Sequence, residues 1–258
     1  MSLLFNQSAF SDWVAGGENN IAANVGLNYD FNYAKGNLNW DNKLLASYGL
    51  TKSKNNEFEK KTDDRFEFNS TVGIKASGYW FYSGFLNFKT QFTKGYVYEK
   101  DLNGKEIRTE YTNFMSPANL SFGPGMLWKK SDDLKFNLAP ATAKIVFVDK
   151  NSTLPNDAYF GVEQGKSARF ELGFNASGYS KITLMQNVTM ENSVNLYANY
   201  LEDPQNIDVD YTMNLVMTVN KYLSANLSFQ TIYDDNAFKG FQVRQVFGAG
   251  INYSFITN

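Results

Sequence analysis

The fold is decided by residues 20–50, which read NIAANVGLNYDFNYAKGNLNWDNKLLASYGL. In the first part of this stretch every second residue is apolar, and most residues between them are small or polar. The apolar set is Ile21, Ala23, Val25, Leu27, Tyr29, Phe31 and Tyr33. Strict alternation over this length predicts a β-strand with one apolar and one polar face. The returning strand repeats the pattern, and only Asn42 interrupts its apolar face.

Residues 36–37, Gly-Asn, predict the turn between these two strands, because glycine accepts the positive φ that two-residue hairpin turns require. With this turn, Tyr33 lies opposite Trp40 on the apolar face, and Asp30 lies opposite Lys43 on the polar face. Both are favourable cross-strand pairs, so the register is well specified. The hairpin is much longer than soluble strands usually are, and it is typical of the repeating unit of a transmembrane β-barrel.

Composition narrows the class of protein. We expect one domain spanning residues 1–258, because no linker of biased composition divides the chain. A net charge of −2 and the lack of a basic stripe argue against nucleic-acid binding. The chain has no cysteine, which excludes disulfides and thiolate metal sites. No apolar run is long enough for a transmembrane helix, so a membrane span must consist of strands.

Alternation continues to the end of the chain and predicts about twelve strands, the first of them a weak one over residues 3–12. Proline lacks the amide donor of the sheet ladder, so bulges are expected where prolines interrupt the middle strands. These prolines are Pro117, Pro124 and Pro140. Short turns, among them residues 78–79 and 179–181, alternate with longer polar loops. The longer loops are predicted at residues 52–65, 94–110 and 149–166.

This arrangement predicts an all-β fold: a transmembrane, up-and-down antiparallel β-barrel with short periplasmic turns and longer extracellular loops. A soluble barrel would hide its apolar face, but three features favour the membrane. The apolar face of the regular strands lacks charged residues, the polar face is rich in Asn, Ser, Thr and Gly, and aromatic residues gather beside the short turns. The expected aromatic girdle consists of Tyr33, Trp40, Tyr79, Trp80, Trp128, Tyr179, Tyr222 and Tyr253.

Several short motifs resemble an uncharacterised bacterial outer-membrane β-barrel family, domain of unknown function 3078. They are Asn6-Gln7-Ser8, Trp13 with Gly16-Gly17-Glu18, Phe122–Met126, residues 200–206 with Asp208 and Asp210, residues 220–225, and Tyr233-Asp234-Asp235. The resemblance extends over nearly the whole chain. It implies location in the outer membrane of a Gram-negative bacterium and no established activity, and it implies no functional residues.

The polar face of the predicted strands points into the barrel, where charges are expected to pair across neighbouring strands. A turn at residues 179–181 would place Arg169 opposite Glu191. The expected pairs are Asp30 with Lys43, Arg169 with Glu191, and Lys89 with Glu67. Such pairs are better interpreted as cross-links of a filled interior than as a selectivity ring.

One acidic group lies near the predicted extracellular mouth. The register places Asp208 directly opposite Asp234, with Asp210 one step further in. Opposed carboxylates repel, so either Arg244 on the next strand neutralises them or they bind a hard cation such as Ca²⁺. The paired, solvated rim is the preferred interpretation, and the three aspartates are a weak calcium candidate.

Enzyme activity is not expected. The chain has no histidine, which excludes histidine-activated nucleophiles, and it has no glycine-rich phosphate loop. No cofactor is expected either. Two hypotheses remain: a narrow or gated channel for small solutes, or a closed structural barrel acting as an interaction subunit of a secretion or assembly complex. Outer-membrane lipid is the expected partner in both cases, and an envelope protein would bind through the loops at 52–65 and 94–110.

Overall fold

The computed structural model describes residues 1–8, 20–54, 56–157 and 159–252. Most of them belong to one antiparallel sheet, and a separate two-stranded hairpin lies outside it. The strands are β1 (Ser2–Ser8), β2 (Asn20–Asp30), β3 (Tyr33–Lys35), β4 (Leu38–Ser53), β5 (Lys60–Ser77), β6 (Trp80–Thr90), β7 (Gly95–Lys100), β8 (Glu106–Thr112), β9 (Ala118–Ser131), β10 (Leu134–Phe147), β11 (Ala168–Met185), β12 (Val188–Asn199), β13 (Ile207–Thr218), β14 (Leu223–Asp234) and β15 (Phe238–Asn252).

The sheet closes into a ring. Each barrel strand pairs with the barrel strands before and after it in the sequence, so that β6 pairs with β9. The ring closes because β1 pairs with both β15 and β2. Strand β2 also pairs with β4, and the short β3 continues β2 beyond a break at residues 31–32. Counting β2 and β3 as one, the described residues form twelve barrel strands. The predicted up-and-down antiparallel barrel is therefore confirmed.

Connections differ between the two ends of the barrel. Five short turns lie at one end, here called the turn end, and they span residues 36–37, 78–79, 132–133, 186–187 and 219–222. At the opposite loop end the connections are longer, apart from residues 235–237. These longer connections span residues 54–59, 91–117, 148–167 and 200–206. Residues 9–19, between β1 and β2, lie outside the described residues. The first hairpin has the predicted register, with Tyr33 opposite Trp40 and Asp30 opposite Lys43.

One predicted turn is wrong. Strand β11 continues through residues 179–181 and ends at Met185, so the chain reverses at residues 186–187. The sequence Tyr-Ser-Lys contains no glycine or proline that would end a strand, and its alternation continues into Ile182 and Leu184. The longer strand changes the register with β12, and Lys181 rather than Arg169 lies opposite Glu191.

Apolar side chains cover the outside of the barrel and polar ones fill the inside. Outward residues are well exposed, for example Phe170 at 58% and Val243 at 64%. Inward neighbours are buried, among them Glu171 at 2% and Asn175 at 2%. This is the reverse of a soluble barrel and the arrangement that contact with lipid demands, because apolar surface is stable only away from water.

The aromatic residues near the turn end mostly lie on the outside, as expected. Tyr33, Trp40, Tyr79, Trp80 and Tyr222 are exposed by 38–56%, and Trp128 stacks against Phe136 at a centroid distance of 5.2 Å. Tyr179 is the exception, because it lines the lumen. Tyr253 lies outside the described residues.

The bulge expected from the proline-rich middle is present. The pairing of β10 with β11 shifts between Ala139 and Thr142, on either side of Pro140. Strand β9 accommodates the bulge with glycine, since a Cβ atom at Gly125 would lie 2.5 Å from the carbonyl oxygen of Leu138. The bulge sets the inward phase of the second half of β10, and that phase places Lys144 in the lumen.

Asn42 has a structural reason to interrupt the apolar face. Its Nδ2 donates to the carbonyl oxygen of Phe31 at 3.0 Å, and its backbone amide donates to Asn32 Oδ1 at 3.0 Å. Ser70 donates to Asn42 Oδ1 at 2.8 Å. The side chain thus satisfies polar groups that the break between β2 and β3 leaves unpaired on a lipid-facing wall.

Helical structure is minor. Two short 3₁₀ turns, Lys150–Ser152 and Pro155–Asp157, lie in the connection between β10 and β11. Among the described residues no helix has the length and apolar character needed to cross a membrane.

Candidate functional site

The barrel lumen is the candidate site. A cavity of about 360 Å³ extends from the middle of the barrel to the turn end. Its wall is formed by the inward side chains of β4–β6 and β10–β13, most of them amides, hydroxyls and charged groups. At the turn end the wall includes the Asp132 and Asp30 side chains, which are 74% and 56% exposed, so the cavity reaches solvent there.

Near the turn end, ion pairs connect distant strands. Asp41 on β4 lies 2.8 Å from Lys129 on β9 and 2.8 Å from Lys135 on β10. Lys129 also contacts Asp132 at 2.7 Å. Asp41 is only 6% exposed, and its contacts with the two lysines link parts of the wall that are not neighbours in the sheet.

 The cluster of Asp41, Lys129, Asp132 and Lys135 lies beside the turns at residues 36–37 and 132–133, at the water-facing edge of the barrel.

A second group lies next to it on the cavity wall. Lys43 is 3.5 Å from Asp30, the partner that the register predicts, and 3.8 Å from Glu191. Lys181 is 3.2 Å from the same glutamate. The predicted pairing of Arg169 with Glu191 is wrong, because β11 is longer than expected and Arg169 lies at the opposite end of the barrel. The sequence does not reveal Lys181 as the partner of Glu191, because the predicted turn at residues 179–181 contains it.

The middle of the lumen contains a third group. Glu67 and Lys89 are direct cross-strand partners, as predicted. However, the Lys89 ammonium contacts Asp210 on β13 at 2.6 Å, while Glu67 pairs with Arg65. Lys89 therefore reaches across the lumen instead of remaining with its neighbour. A contact of this kind depends on closure of the ring, which the pairing of adjacent strands does not reveal.

The acidic group at the loop end is partly as predicted. Carboxylate oxygens of Asp208, Asp234 and Asp235 lie within 4.8 Å of one another. Asp210 does not join them, because it pairs with Lys89. The weak calcium candidate of Asp208, Asp210 and Asp234 is therefore not brought together as a set.

A lysine occupies the centre of this acidic group. Lys144 Nζ lies 2.7 Å from Asp208, 3.5 Å from Glu171 and 3.9 Å from Asp234. Its side chain is 10% exposed and that of Glu171 is 2% exposed. The ammonium thus takes the place in which a bound cation would stabilise the carboxylates. The bulge in β10 could have indicated this lysine, because it fixes which side of the strand faces inward.

Arg244 does not neutralise Asp234, contrary to expectation. It pairs with Asp63 on β5 at 2.5 Å, on the other side of β1 and β2. Arg169 pairs with Glu202 at 2.7 Å and with Glu171 at 3.4 Å. Both arginines therefore stabilise the loop end, and each has one partner that is distant in sequence, Asp63 or Glu202.

The loop of residues 148–167, here called the lid, lies across the loop end. Tyr159 and Val162 are 2% and 0% exposed, and they pack on the inward residues Val146 and Val148. Tyr159 donates to the carbonyl oxygen of Tyr111 at 2.7 Å. Its hydroxyl also lies 3.2 Å from Ser116 Oγ. These contacts fix one side of the lid to the segment that precedes β9.

The other side of the lid reaches the far wall. Gly161, with a positive φ of 69°, packs closely against the Arg169 guanidinium, and a side chain at this position would displace the arginine. The same position lies against Asn236 in the connection between β14 and β15. The lid therefore spans the mouth, and the lumen is covered at the loop end.

The hairpin of β7 and β8 projects from the loop end and is held by the β4–β5 connection. Arg108 lies over the rings of Phe58 and Tyr96, at 4.5 and 4.4 Å from their centroids. Lys60 contacts Glu106 at 2.6 Å. The opposite side of the hairpin exposes apolar residues: Val97, Leu102 and Ile107.

These features define a class of protein: a transmembrane β-barrel with an apolar exterior, a polar and charged lumen, and one covered end. The family described as "Protein of unknown function (DUF3078)" matches residues 5–96, which confirms the family resemblance over that part of the chain. No curated protein matches the sequence.

Two solved structures are similar to the chain. One is the beta domain of the Bordetella autotransporter BrkA, with 12% identity, coverage of 98% of each chain and a TM-score of 0.34. The other is the NanC porin in a rhombohedral crystal form, with 10% identity, coverage of 97% of this chain and 98% of the porin, and a TM-score of 0.39.

Proposed function

We propose that this protein is an integral protein of the bacterial outer membrane that acts as a narrow, gated channel for small solutes, without catalysing a reaction. The outer membrane is the proposed location because barrels with an apolar exterior and an up-and-down topology are found there. The chain has no histidine, and the lumen charges described above are engaged in ion pairs, which is consistent with a non-catalytic role.

The observation that carries the channel proposal is the lumen itself. A polar cavity of about 360 Å³ opens toward the turn end inside an apolar exterior. At the loop end the lumen is covered by the lid, which is a connection between strands and not part of the barrel wall. A lid that moves without unfolding the barrel would complete a continuous polar path.

The second candidate function is a closed structural barrel that serves as an interaction subunit of an envelope complex. The hairpin of β7 and β8 favours it, because Val97, Leu102 and Ile107 are exposed at 45%, 106% and 41% on a protruding element. The cross-links between distant strands, such as that of Lys89 with Asp210, also suit a barrel that never opens.

Conductance in planar lipid bilayers separates the two functions. We expect the wild type to show brief, small openings, and a variant with residues 150–164 replaced by a short glycine-serine linker to show larger and longer ones. Shortening the β7–β8 hairpin by removing residues 98–107, which leaves Tyr111 and its contact with the lid in place, is the matched control and should leave the conductance unchanged. If both the wild type and the lid variant insert and remain silent, the closed barrel is the correct description.

A further inference from the structure

The cavity wall carries many charges, and each cation on it has an acidic partner. Arg65 pairs with Glu67, and Lys43 with Asp30. The three other cation pairs, with their distances, are Lys89 to Asp210 at 2.6 Å, Lys135 to Asp41 at 2.8 Å, and Lys181 to Glu191 at 3.2 Å. Among the described residues, the one lining carboxylate without an ion pair is Asp133, in the exposed turn at the rim. An ion that enters the middle of the cavity therefore loses water without gaining an unmatched counter-charge.

Amide groups occupy the wall between these pairs. In the middle of the cavity, Asn87 Nδ2 donates to Asn69 Oδ1 at 2.5 Å, and Asn69 Nδ2 donates to Glu67 at 2.8 Å. Asn195 accepts a hydrogen bond from Asn175 at 3.0 Å. A wall of fixed amides offers both donors and acceptors, which matches a solute that carries several hydroxyl groups.

Asn137 has an unused donor at this wall. The residue is 4% exposed and lines the cavity, and its Oδ1 accepts a hydrogen bond from Ser83 Oγ at 2.6 Å. The Nδ2 atom is buried and has no hydrogen-bond partner among the described residues. Buried donors are normally satisfied, so an unpaired one at a cavity wall marks a place where a ligand oxygen would be stabilised.

We infer that the cavity is a binding site for a neutral, polyhydroxylated solute of monosaccharide or disaccharide size, with Asn137 donating to one of its oxygens. The volume of about 360 Å³ lies within the range of small-molecule sites, about 300–1,000 Å³. The claim that this solute passes through the barrel rests on the proposed channel function. The claim that the cavity binds the solute can be tested separately.

The test is a binding titration by saturation-transfer difference NMR on the full chain in detergent micelles. The probes are glucose, gluconate and glucosamine, which share a size and differ in charge. We expect glucose to saturate, and the anion and the cation to bind at least about fivefold more weakly, because neither finds an unmatched charge beside Asn137 in the middle of the cavity. Asn137→Ala should weaken glucose binding about five- to tenfold, the equivalent of one hydrogen bond.

Two further variants make the test specific. Asn137→Asp keeps the shape and the acceptor for Ser83 but lacks the donor, so it should weaken binding even if the alanine variant does not fold. Asn103→Ala, in the exposed turn of the β7–β8 hairpin, should bind as the wild type does.

Several results would overturn the inference: no saturation with glucose, tighter binding of either charged probe, or unchanged affinity in both Asn137 variants. Conductance keeps this outcome separate from the channel proposal. A barrel that conducts but does not bind glucose contradicts only the inference, and one that binds glucose but never conducts contradicts only the channel.

Discussion

Lys144 should be the most important single charge for the stability of the barrel. Its ammonium lies 2.7 Å from Asp208, and at an effective dielectric of about 20 that attraction alone amounts to about 6 kcal/mol before desolvation is subtracted. Replacing it with methionine, which has a similar length, leaves Asp208 and Asp234 without this cation, and leaves Glu171, at 2% exposure, with Arg169 alone. Removing one partner of a buried ion pair costs about 3–5 kcal/mol.

We therefore expect Lys144→Met to lower the free energy of unfolding by about 3–5 kcal/mol, a large part of the total stability of an ordinary domain, about 5–15 kcal/mol. Adding Asp208→Asn should restore about 1–2 kcal/mol, since one uncompensated charge is removed. The assay is reversible urea unfolding in lipid vesicles, followed by the fluorescence of the four tryptophans.

The matched control is Lys94→Met. Lys94 makes an equally short contact, 2.7 Å to Glu110, but both side chains are about half exposed, so the unfolding midpoint should not change. The reasoning is refuted if Lys144→Met is as stable as the wild type, or if the second substitution destabilises it further.

Three other predictions concern different parts of the barrel. Asn42→Leu makes the lipid-facing wall more apolar, yet it should lower stability by about 1–3 kcal/mol in the same urea assay, because the Phe31 carbonyl oxygen and the Ser70 hydroxyl lose their partner; a more stable variant would contradict this. Burial raises the pKa of the Tyr159 phenol above its ordinary value of about 10, so the closed lid is favoured below pH 10 and loses stability as the pH rises toward the higher value. Single-channel openings should therefore become more frequent above about pH 10, and Tyr159→Phe should show no such rise; equal alkaline activation of both proteins would exclude this role of the phenol. Finally, a double-mutant cycle should give a coupling energy of about 1 kcal/mol between Arg244 and Asp63 and none between Arg244 and Asp234, and the reverse result would restore the pairing expected from sequence.

Much of the fold follows from local sequence patterns. The alternation in residues 20–50 predicts the first hairpin, its turn and its register, because the period of side chains in a strand and the glycine of the turn are local properties. The bulge beside Pro140 is predictable for the same reason. The end of β11 is not, since residues 179–181 resemble both a turn and a continuing strand, and only pairing with β10 and β12 decides between them.

The lumen is less predictable than the wall. The pair of Asp30 with Lys43 lies between adjacent strands, so the hairpin register is enough to find it. Lys89 with Asp210, and Arg244 with Asp63, are separated by many strands along the chain and meet only because the sheet closes. Their contacts depend on the diameter of the barrel and on long, flexible side chains, neither of which alternation reveals.

The central claim is that the outward side chains contact lipid and the inward ones contact water. Because the chain has no cysteine, single cysteines can be placed at each position of β13, Ile207–Thr218, and labelled with a nitroxide in lipid vesicles. Electron paramagnetic resonance then compares collisions with oxygen, which partitions into lipid, and with a nickel chelate, which remains in water. We predict oxygen maxima at odd-numbered positions and nickel maxima at even-numbered ones; the opposite phase, or no alternation, would contradict a membrane-spanning barrel with a polar lumen.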